Sequence, residues 1–573
     1  MIMTRLARFA GVTALACCAL SAAAQGQFIE SPPLANTVQT AVGAVAAGPV
    51  QVPIITWGGD IATVLANGNG KATAKTSIFG KLGLNLRLVR EDVFAKQLEA
   101  YLSGRSPYLR GTVGMLNMAM DAANRDPRTK PVTIYQLTWS AGGDALVVKQ
   151  NIKTARDLRG KTVALQAYGP HVDYLSKILA DAGLTPKDVT IRWTADLTGS
   201  AKSPAAALHN SGIDAALVII PDALALTSSG TVGTGAEDSV KGARILLSTK
   251  TANRIIADVY AVRSDYLASN RADVERFVQG LLQAEDALKK LVAAKQSRAA
   301  EFKEVMSAAA RELLDSAQAI ADAEGMYRDA DFAGLAGNAA FFTRADNPRS
   351  FAALNREVQS AFSALGLVAK AAPLEHAGWD YRKLGGGTAV AAAPEASRFD
   401  AEKVASMVAR RQSQGKLQEG ALFSFEVFFK PNQDKFSADL YGEAFKKVAG
   451  LAATYGGAII TVEGHSDPMA YLRAKREGAP DVVLGRTQQS AKNLSLSRAI
   501  AVRDSLIAYA KSQGVSLDAS QFAVVGHGIT QPKTGICGAD PCAPKTEREW
   551  ESNMRVEFRL LQVEAEASAF KPL

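Results

Sequence analysis

The sequence predicts an α/β body followed by a smaller α+β domain. Three observations carry this. Strand-like and helix-like patterns alternate through residues 51–384, as sheets covered by helices require. The alternation stops at Gly385-Gly386-Gly387 and the run Ala389–Ala396, which has no apolar periodicity and reads as a linker. Beyond it the patterns fall in the order β-α-β-α-β-β across residues 421–565.

In the body, Val52–Trp57 reads as a strand ending at Gly58-Gly59-Asp60, with a helical pattern after it. Asn85–Val89 is a second strand and Val93–Ser103 a helix. Pro131–Trp139 and Asp144–Val148 are strands around Ser140-Ala141-Gly142-Gly143. Thr162–Leu165 reads as a buried strand, and His171–Ala182 as a helix stopped by Gly183. Ile213–Ile220 is a continuous apolar strand ending at Pro221-Asp222. From about residue 265 to 335 the pattern turns helical, with Val274, Phe277, Val278, Leu281 and Leu282 at helix spacing. Residues 385–420 are linker and connector, the charged part from 398 reading as a helix through Ala405, Val408 and Ala409.

The tail starts with a strand at Phe425–Phe429, then a helix over about 438–454. The strand Ile459–Glu463 runs into Gly464-His465-Ser466-Asp467. A long helix follows over about Leu496–Ser512, with Ala499, Val502, Leu506 and Tyr509 on one face and Gly514 ending it. Phe522–Val525 and Met554–Leu561 complete the order.

A chain of 573 residues with 47% apolar and 21% charged content is that of an ordinary globular protein of two or three domains. The net charge of +9 is spread thinly, without a Lys/Arg tract of the kind that follows nucleic acid. The N-terminus reads as a signal peptide over residues 1–24: Arg5 and Arg8, the apolar stretch Phe9–Leu20, then Ala22-Ala23-Ala24 before Gln25. Cys17 and Cys18 raise a lipoprotein alternative, but neither sits in a good lipidation context, so soluble export is the expectation. Residues 25–50 form an Ala/Gly/Pro/Thr-rich lead-in, and no later segment holds 18 consecutive apolar residues. After cleavage Cys537 and Cys542 remain, and in an oxidising compartment they would close a six-residue ring worth about 2 kcal/mol.

Several phrases of the body resemble type II periplasmic solute-binding proteins of the nitrate/sulfonate/thiamine-precursor kind. They are Asp157-Leu158-Arg159-Gly160-Lys161-Thr162-Val163-Ala164, Asp214-Ala215-Ala216-Leu217-Val218 followed by Pro221-Asp222, and Tyr260-Ala261-Val262-Arg263-Ser264. The resemblance implies a two-lobed type II periplasmic binding protein fold, with a solute held between hinged lobes and a transporter permease as partner. Strand ends and helix N-termini would face that cleft, offering backbone N–H groups. The candidate contacts are Trp57, Gly58, Gly59, Asp60, Trp139, Ser140, Tyr168, Gly169, His171 and Asp222. Each has a plainer reading. Trp57 and Trp139 could fill lobe cores, Asp60 reads first as a helix N-cap, and His171 could cap its helix. Asp144, in a turn after Gly143, reads as structural.

The tail phrases Gly464-His465-Ser466-Asp467, Leu494-Ser495-Leu496-Ser497-Arg498-Ala499 and Asn553-Met554-Arg555-Val556-Glu557 resemble the OmpA-like peptidoglycan-binding domain. There an Asp and an Arg grip the ammonium and carboxylate of diaminopimelate, which here implies Asp467 and Arg498, with Gly464, Ser466, Asn553 and Arg555 supporting the pocket. One fixed anion and one fixed cation suit that zwitterion, each charged hydrogen bond adding about 1.5–3 kcal/mol. The chain departs from the family pattern in three ways. Ser466 replaces a Thr, Ala491 replaces an Asn, and the stretch between Asp467 and Arg498 is about twice the usual length. Its extra part, Met469–Gln489, carries Arg473, Lys475, Arg476, Glu477 and Arg486 and is expected to act as a lid or an added contact.

No catalytic set, cofactor motif or metal-ligand cluster is legible. There is no HExxH, no Ser elbow, and the upstream glycine of a phosphate loop before Gly160-Lys161-Thr162 is replaced by Ala155. The five histidines are scattered singly, although His465 and His527 could approach each other. The expectation is a periplasmic solute-binding body tethered to peptidoglycan. The alternative is a structural envelope protein whose body is a protein-interaction module, and a wall hydrolase is disfavoured.

Overall fold

A computed structural model describes residues 28–344, 346–369, 372–385, 399–415, 417, 421–428, 441–513, 515 and 517–561. The predicted signal peptide, most of the predicted Gly/Ala linker, Phe429, positions 438–440, Gly514 and positions 562–565 lie outside these. The chain divides into two compact units, one formed by residues up to Ala391 and the other by those from Ala392 on, with Thr251–Arg254 and Arg344–Ser350 grouped with the second.

The first unit contains two α/β lobes. In the first lobe, β1 (Val50–Ile54) pairs parallel with β2 (Leu86–Arg90), and β1 lies beside β3 (Tyr108–Thr112). β4 (Pro131–Ser140) comes next in the chain and β5 (Asp144–Val148) already belongs to the second lobe. That lobe adds β6 (Thr162–Gln166), β7 (Thr190–Thr194), β8 (Ala215–Ile219) and β9 (Arg244–Ser248), in the order β7-β6-β8-β5-β9. The chain then returns as β10 (Ala257–Arg263), which pairs antiparallel with both β3 and β4. β11 (Ala330–Phe332) and β12 (Glu375–His376) flank β4.

The lobes therefore share one plan. In each, the strand that arrives from the other lobe, β10 or β5, inserts antiparallel between two strands of its host sheet. β4, β5 and β10 are buried along their whole length, as sheets covered on both faces demand. Two segments connect the lobes: Ser140–Asp144 outward, and Thr249–Ile256 back. β1 ends at Ile54, so Trp57 lies in the turn beyond it rather than on the strand. The predicted helical stretch resolves into Ser264–Ser269, Arg271–Ala293, Ala299–Leu314 and Ile320–Asp329, followed by β11.

Burial raises several carboxyls of this body. Glu285 is pushed up to about 8, with Tyr135 donating to it at 2.5 Å and the Gly334 amide at 2.8 Å. Asp173 rises to about 7, and Asp60 and Asp329 to about 6. Each folded value exceeds the unfolded one, so the folded state holds the extra protons and loses stability as pH rises through about 6 to 8. The body's melting temperature is expected to fall between pH 5 and pH 8.5, and Glu285→Gln to flatten the upper part of that fall. A profile rising over this range, read by calorimetry, would contradict it.

In the second unit, β13 (Ala421–Phe428), β14 (Ile459–His465), β15 (Phe522–Gly528) and, after the short hairpin β16 (Ile536–Cys537) and β17 (Asp540–Pro541), β18 (Arg555–Leu561) form a sheet of order β13-β18-β14-β15. The helices are Gly442–Thr454, Met469–Arg476, Asp481–Ser512 and Glu547–Asn553. The long helix thus starts well before the predicted Leu496 and takes in much of the inserted segment. A short helix also precedes β18, which the β-α-β-α-β-β reading did not contain. The connector helix Ala401–Ser413 buries Val404, Met407 and Val408 in one core with Ile459, Ala523, Val525 and Leu561.

Candidate functional site

The connecting segments of the body carry a buried polar seam. The Ser140 hydroxyl, at the end of β4, donates to Asp144 Oδ2 at 2.6 Å and lies 2.9 Å from the Thr249 hydroxyl. Thr249 Oγ1 also accepts the amides of Gly142 and Asp144, at 3.0 and 3.1 Å. The other Asp144 oxygen meets His171 Nε2 at 2.8 Å. His171 opens the helix His171–Asp181 and is fully buried, and its Nδ1 has no hydrogen-bond partner among the described residues. Outward segment, return segment and second-lobe helix are thus tied through Asp144. It is the centre of the seam rather than a simple turn residue.

Trp57 closes one side. Its indole N–H donates to the Thr138 hydroxyl at 2.9 Å, and its ring lies 2.5 Å from where a Cβ on Gly143 would stand. Gly58 passes under the helix Ile320–Asp329, a Cβ there being 2.0 Å from the Met326 carbonyl oxygen, and Gly59 would meet Thr138 at 3.0 Å. Asp222 sits in the first turn of Ile220–Leu226. Burial raises its carboxyl, opposed by a Thr198 hydrogen bond and by the charge of His171, and its Oδ2 is buried without a partner among the described residues.

Other predicted contacts are engaged elsewhere. Asp60 caps nothing: Gly59 is the cap position, and no side-chain capping bond is made. Its carboxylate instead takes Arg110 Nη2 at 2.9 Å and Nε at 3.1 Å, while Arg110 Nη1 takes Asp258 at 2.7 Å. All three side chains are buried. Trp139 points to the opposite face of β4 from Thr138 and packs edge-on to Phe341 with centroids 5.7 Å apart. Tyr168 adopts a left-handed φ of 59° and donates to the Pro32 carbonyl at 2.5 Å. A Cβ on Gly169 would meet Gln166 Oε1 at 2.3 Å. Of the ten predicted contacts, the seam and its rim gather Trp57, Ser140, His171 and Asp222. Asp144 and Thr249 were not among them.

In the tail unit, glycines decide the geometry. A Cβ on Gly464 would stand 1.9 Å from the Ser495 carbonyl oxygen, and one on Gly526 would stand 2.8 Å from that of Lys492. Sheet and long helix therefore touch backbone to backbone. The Ser466 hydroxyl donates to the Ala491 carbonyl at 3.0 Å, and the Gly528 amide to Ser495 Oγ at 2.9 Å. Asp467 follows β14, and Arg498 lies buried about one turn beyond Ser495 on the long helix. Asp467 is half-buried, and burial raises its carboxyl. Its oxygens accept the Met469 amide at 2.8 Å and the Asn553 side-chain amide at 3.3 Å. Arg555 instead pairs with Glu426 at 3.2 Å and donates to the Gln531 carbonyl at 3.3 Å.

The inserted segment and the disulfide hairpin hold each other. Cys537 and Cys542 are disulfide-bonded, closing the β16–β17 hairpin. Asp540 of that hairpin takes Lys475 at 2.7 Å and Tyr471 at 3.2 Å from the helix Met469–Arg476. His465 and His527 do meet, stacked with ring centroids 4.8 Å apart and planes 16° from parallel. With Glu463 they form a buried group whose ligand-type atoms lie within 4.8 Å of one another. Its electrostatics oppose a cation, because Glu463 is already taken by Arg559 at 3.0 Å and His527 at 2.9 Å. Burial would raise Glu463, but these partners outweigh it and hold it down at about 2. Burial and the nearby Arg555 lower His465 to about 2, so its ring is neutral.

Two α/β lobes, two connecting segments and a hydrogen-bonded seam between them define the body as a protein of periplasmic-binding-protein-like fold. Within it, residues 79–291 match the family model described as NMT1/THI5 like. Among solved structures the chain is similar to the periplasmic aliphatic sulphonate binding protein SsuA from Escherichia coli, at 17% identity over 58% of this chain and 96% of that one, with a TM-score of 0.40. It is also similar to the alkanesulfonate-binding protein SsuA from Xanthomonas axonopodis pv. citri, at 18% identity over 57% and 96%, with a TM-score of 0.38. The desulfurization enzyme DSZB is similar at 17% identity over 59% and 98%, with a TM-score of 0.35. No curated protein matches the chain. Among the described residues no helix is long and apolar enough to cross a membrane.

Proposed function

We propose that this is a periplasmic solute-binding protein held non-covalently on peptidoglycan, which captures a small molecule for an ABC-type transporter or a sensor. The observation that carries the solute-binding part is the seam at the lobe connections, where Ser140, Asp144, Thr249 and His171 meet. Hinge bending at Ser140–Asp144 and Thr249–Ile256 would open and close a cleft there. The family match over both lobes and the solute-binding names of the similar SsuA proteins agree with this reading. Ligand stabilisation of the folded body in a thermal-shift screen tests it. Flat melting across anions, sulfonates, amines and heterocycles would leave the envelope-scaffold reading, which the lobe-to-lobe bond between Asp173 and Gly114 favours.

The wall-binding part rests on the resemblance of the Asp467 and Arg498 phrases to the OmpA-like domain and on the backbone contact of Gly464 with Ser495 that both phrases flank. Asp467 would take the diaminopimelate ammonium and Arg498 its carboxylate, with Asn553 orienting Asp467. Loss of one charged partner is expected to weaken binding about tenfold or more. The full-length protein should therefore co-sediment with purified sacculi, and both Asp467→Asn and Arg498→Ala should stay in the supernatant. Unchanged sedimentation of the two variants would remove the anchor.

A further inference from the structure

Asp173 lies in the first turn of His171–Asp181 in the second lobe and reaches across to the first. Its Oδ2 accepts the amide of Gly114 at 3.2 Å. Gly114 is the second residue of the eleven-residue helix Val113–Ala123, whose N-cap, Thr112, also hydrogen-bonds the carboxyl. The side chain is 5% exposed, and Oδ1 is buried with no partner among the described residues. The fit is tight, since a Cβ on Gly114 would stand 1.6 Å from Oδ1. First-turn amides and the positive end of a helix dipole make a ready anion site. Left empty, such a helix end would suit the charge of an oxyanion. Its place is filled by a carboxylate of the protein itself, with Asp258 and Glu357 adding negative charge around it.

We propose that Asp173 sets the specificity of the cleft: its carboxylate occupies the Val113–Ala123 helix N-terminus, bars sulfonates and other oxyanions, and selects solutes that present a hydrogen-bond donor or cationic group to Oδ1. This rests on the solute-binding reading of the body. The test is nonetheless independent of the natural solute, because it uses methanesulfonate and inorganic sulfate as probes.

Isothermal titration is run on the full-length protein at pH 8, above the value of about 7 to which burial raises Asp173, with chloride at equal ionic strength as the control. Wild type is expected to give no saturable heat. Asp173→Ser, which empties the position and keeps a small donor, is expected to bind either anion at least about tenfold more tightly than wild type. If that variant does not fold, Asp173→Ala decides, because it too empties the position and removes the charge, and it is likewise expected to show a saturable response. Saturable anion binding by wild type, or no anion response from a folded variant, overturns the proposal. An absence of any solute for wild type in the thermal-shift screen would instead remove the solute-binding reading, and the two failures are read separately.

Discussion

Arg110→Ala is expected to destabilise the body by about 3–5 kcal/mol, the range for removing one partner of a buried ion pair. Its melting temperature should fall by on the order of 10 °C. Arg110 is fully buried and is held by Asp60 and Asp258 at 2.9 and 2.7 Å, with Tyr260 donating to Asp60 at 3.3 Å. Without the guanidinium, two carboxyls would stay in the interior facing each other. They would have to take up protons, so the loss should be larger at pH 8 than at pH 5. Replacing all three by uncharged residues of similar volume should recover much of the stability. A loss under about 1 kcal/mol at pH 8 would mean that the acids are already neutral in the folded protein and that no ion triad exists.

Gly464→Val should separate sheet from helix in the tail. The added Cβ would be 1.9 Å from the Ser495 carbonyl oxygen, a backbone atom that cannot rotate away. Overpacking of this kind costs about 1–3 kcal/mol where side chains can yield, and more where backbone must move. Asp467 follows Gly464 by three residues and Arg498 follows Ser495 by three, so the same shift changes the spacing of the two charges. The variant is therefore expected to lose sacculus binding although Asp467 and Arg498 are both present. Gly450→Ala is the matched control. It lies in the helix Gly442–Thr454 with open space at its Cβ, and should stabilise the tail by about 0.5–1 kcal/mol without affecting sedimentation. Equal effects of the two substitutions would refute the close-approach argument.

Much of the architecture was legible because burial writes itself as pattern. The apolar runs of β4, β5 and β8 and the helix stopped by Gly183 appear close to where the periodicity put them. β3 was not seen, since Tyr108–Thr112 carries Arg110 and Gly111 where a buried strand usually shows apolar residues. That charge is tolerated only because Asp60 and Asp258 come to it from other parts of the chain. The long tail helix was read too short for a related reason. Its apolar face runs through Ala499, Val502 and Leu506, whereas the turns from Asp481 to Lys492 are largely exposed and carry no stripe.

The candidate site divides in the same way. Trp57, Ser140, His171 and Asp222, which the structure gathers at the seam and its rim, stand in turns after strands and at helix starts, positions that local pattern reveals. Asp60 and Trp139 met the same criterion and turned out to be engaged by Arg110 and Phe341, partners that no local pattern names. Asp173 passed as an ordinary acid in a helical first turn. Its partner lies 59 residues away on the other lobe.

By itself the sequence indicates part of the order of elements, a division into body and tail, and the Asp467 and Arg498 phrases, because these depend on spacing between near neighbours. Only the tertiary structure decided which buried charges neutralise each other, that Asp144 joins the two connecting segments to His171, and that Asp173 fills a helix end in the opposite lobe. Those outcomes depend on distances between residues far apart in the chain, which are set by how the sheets and helices pack.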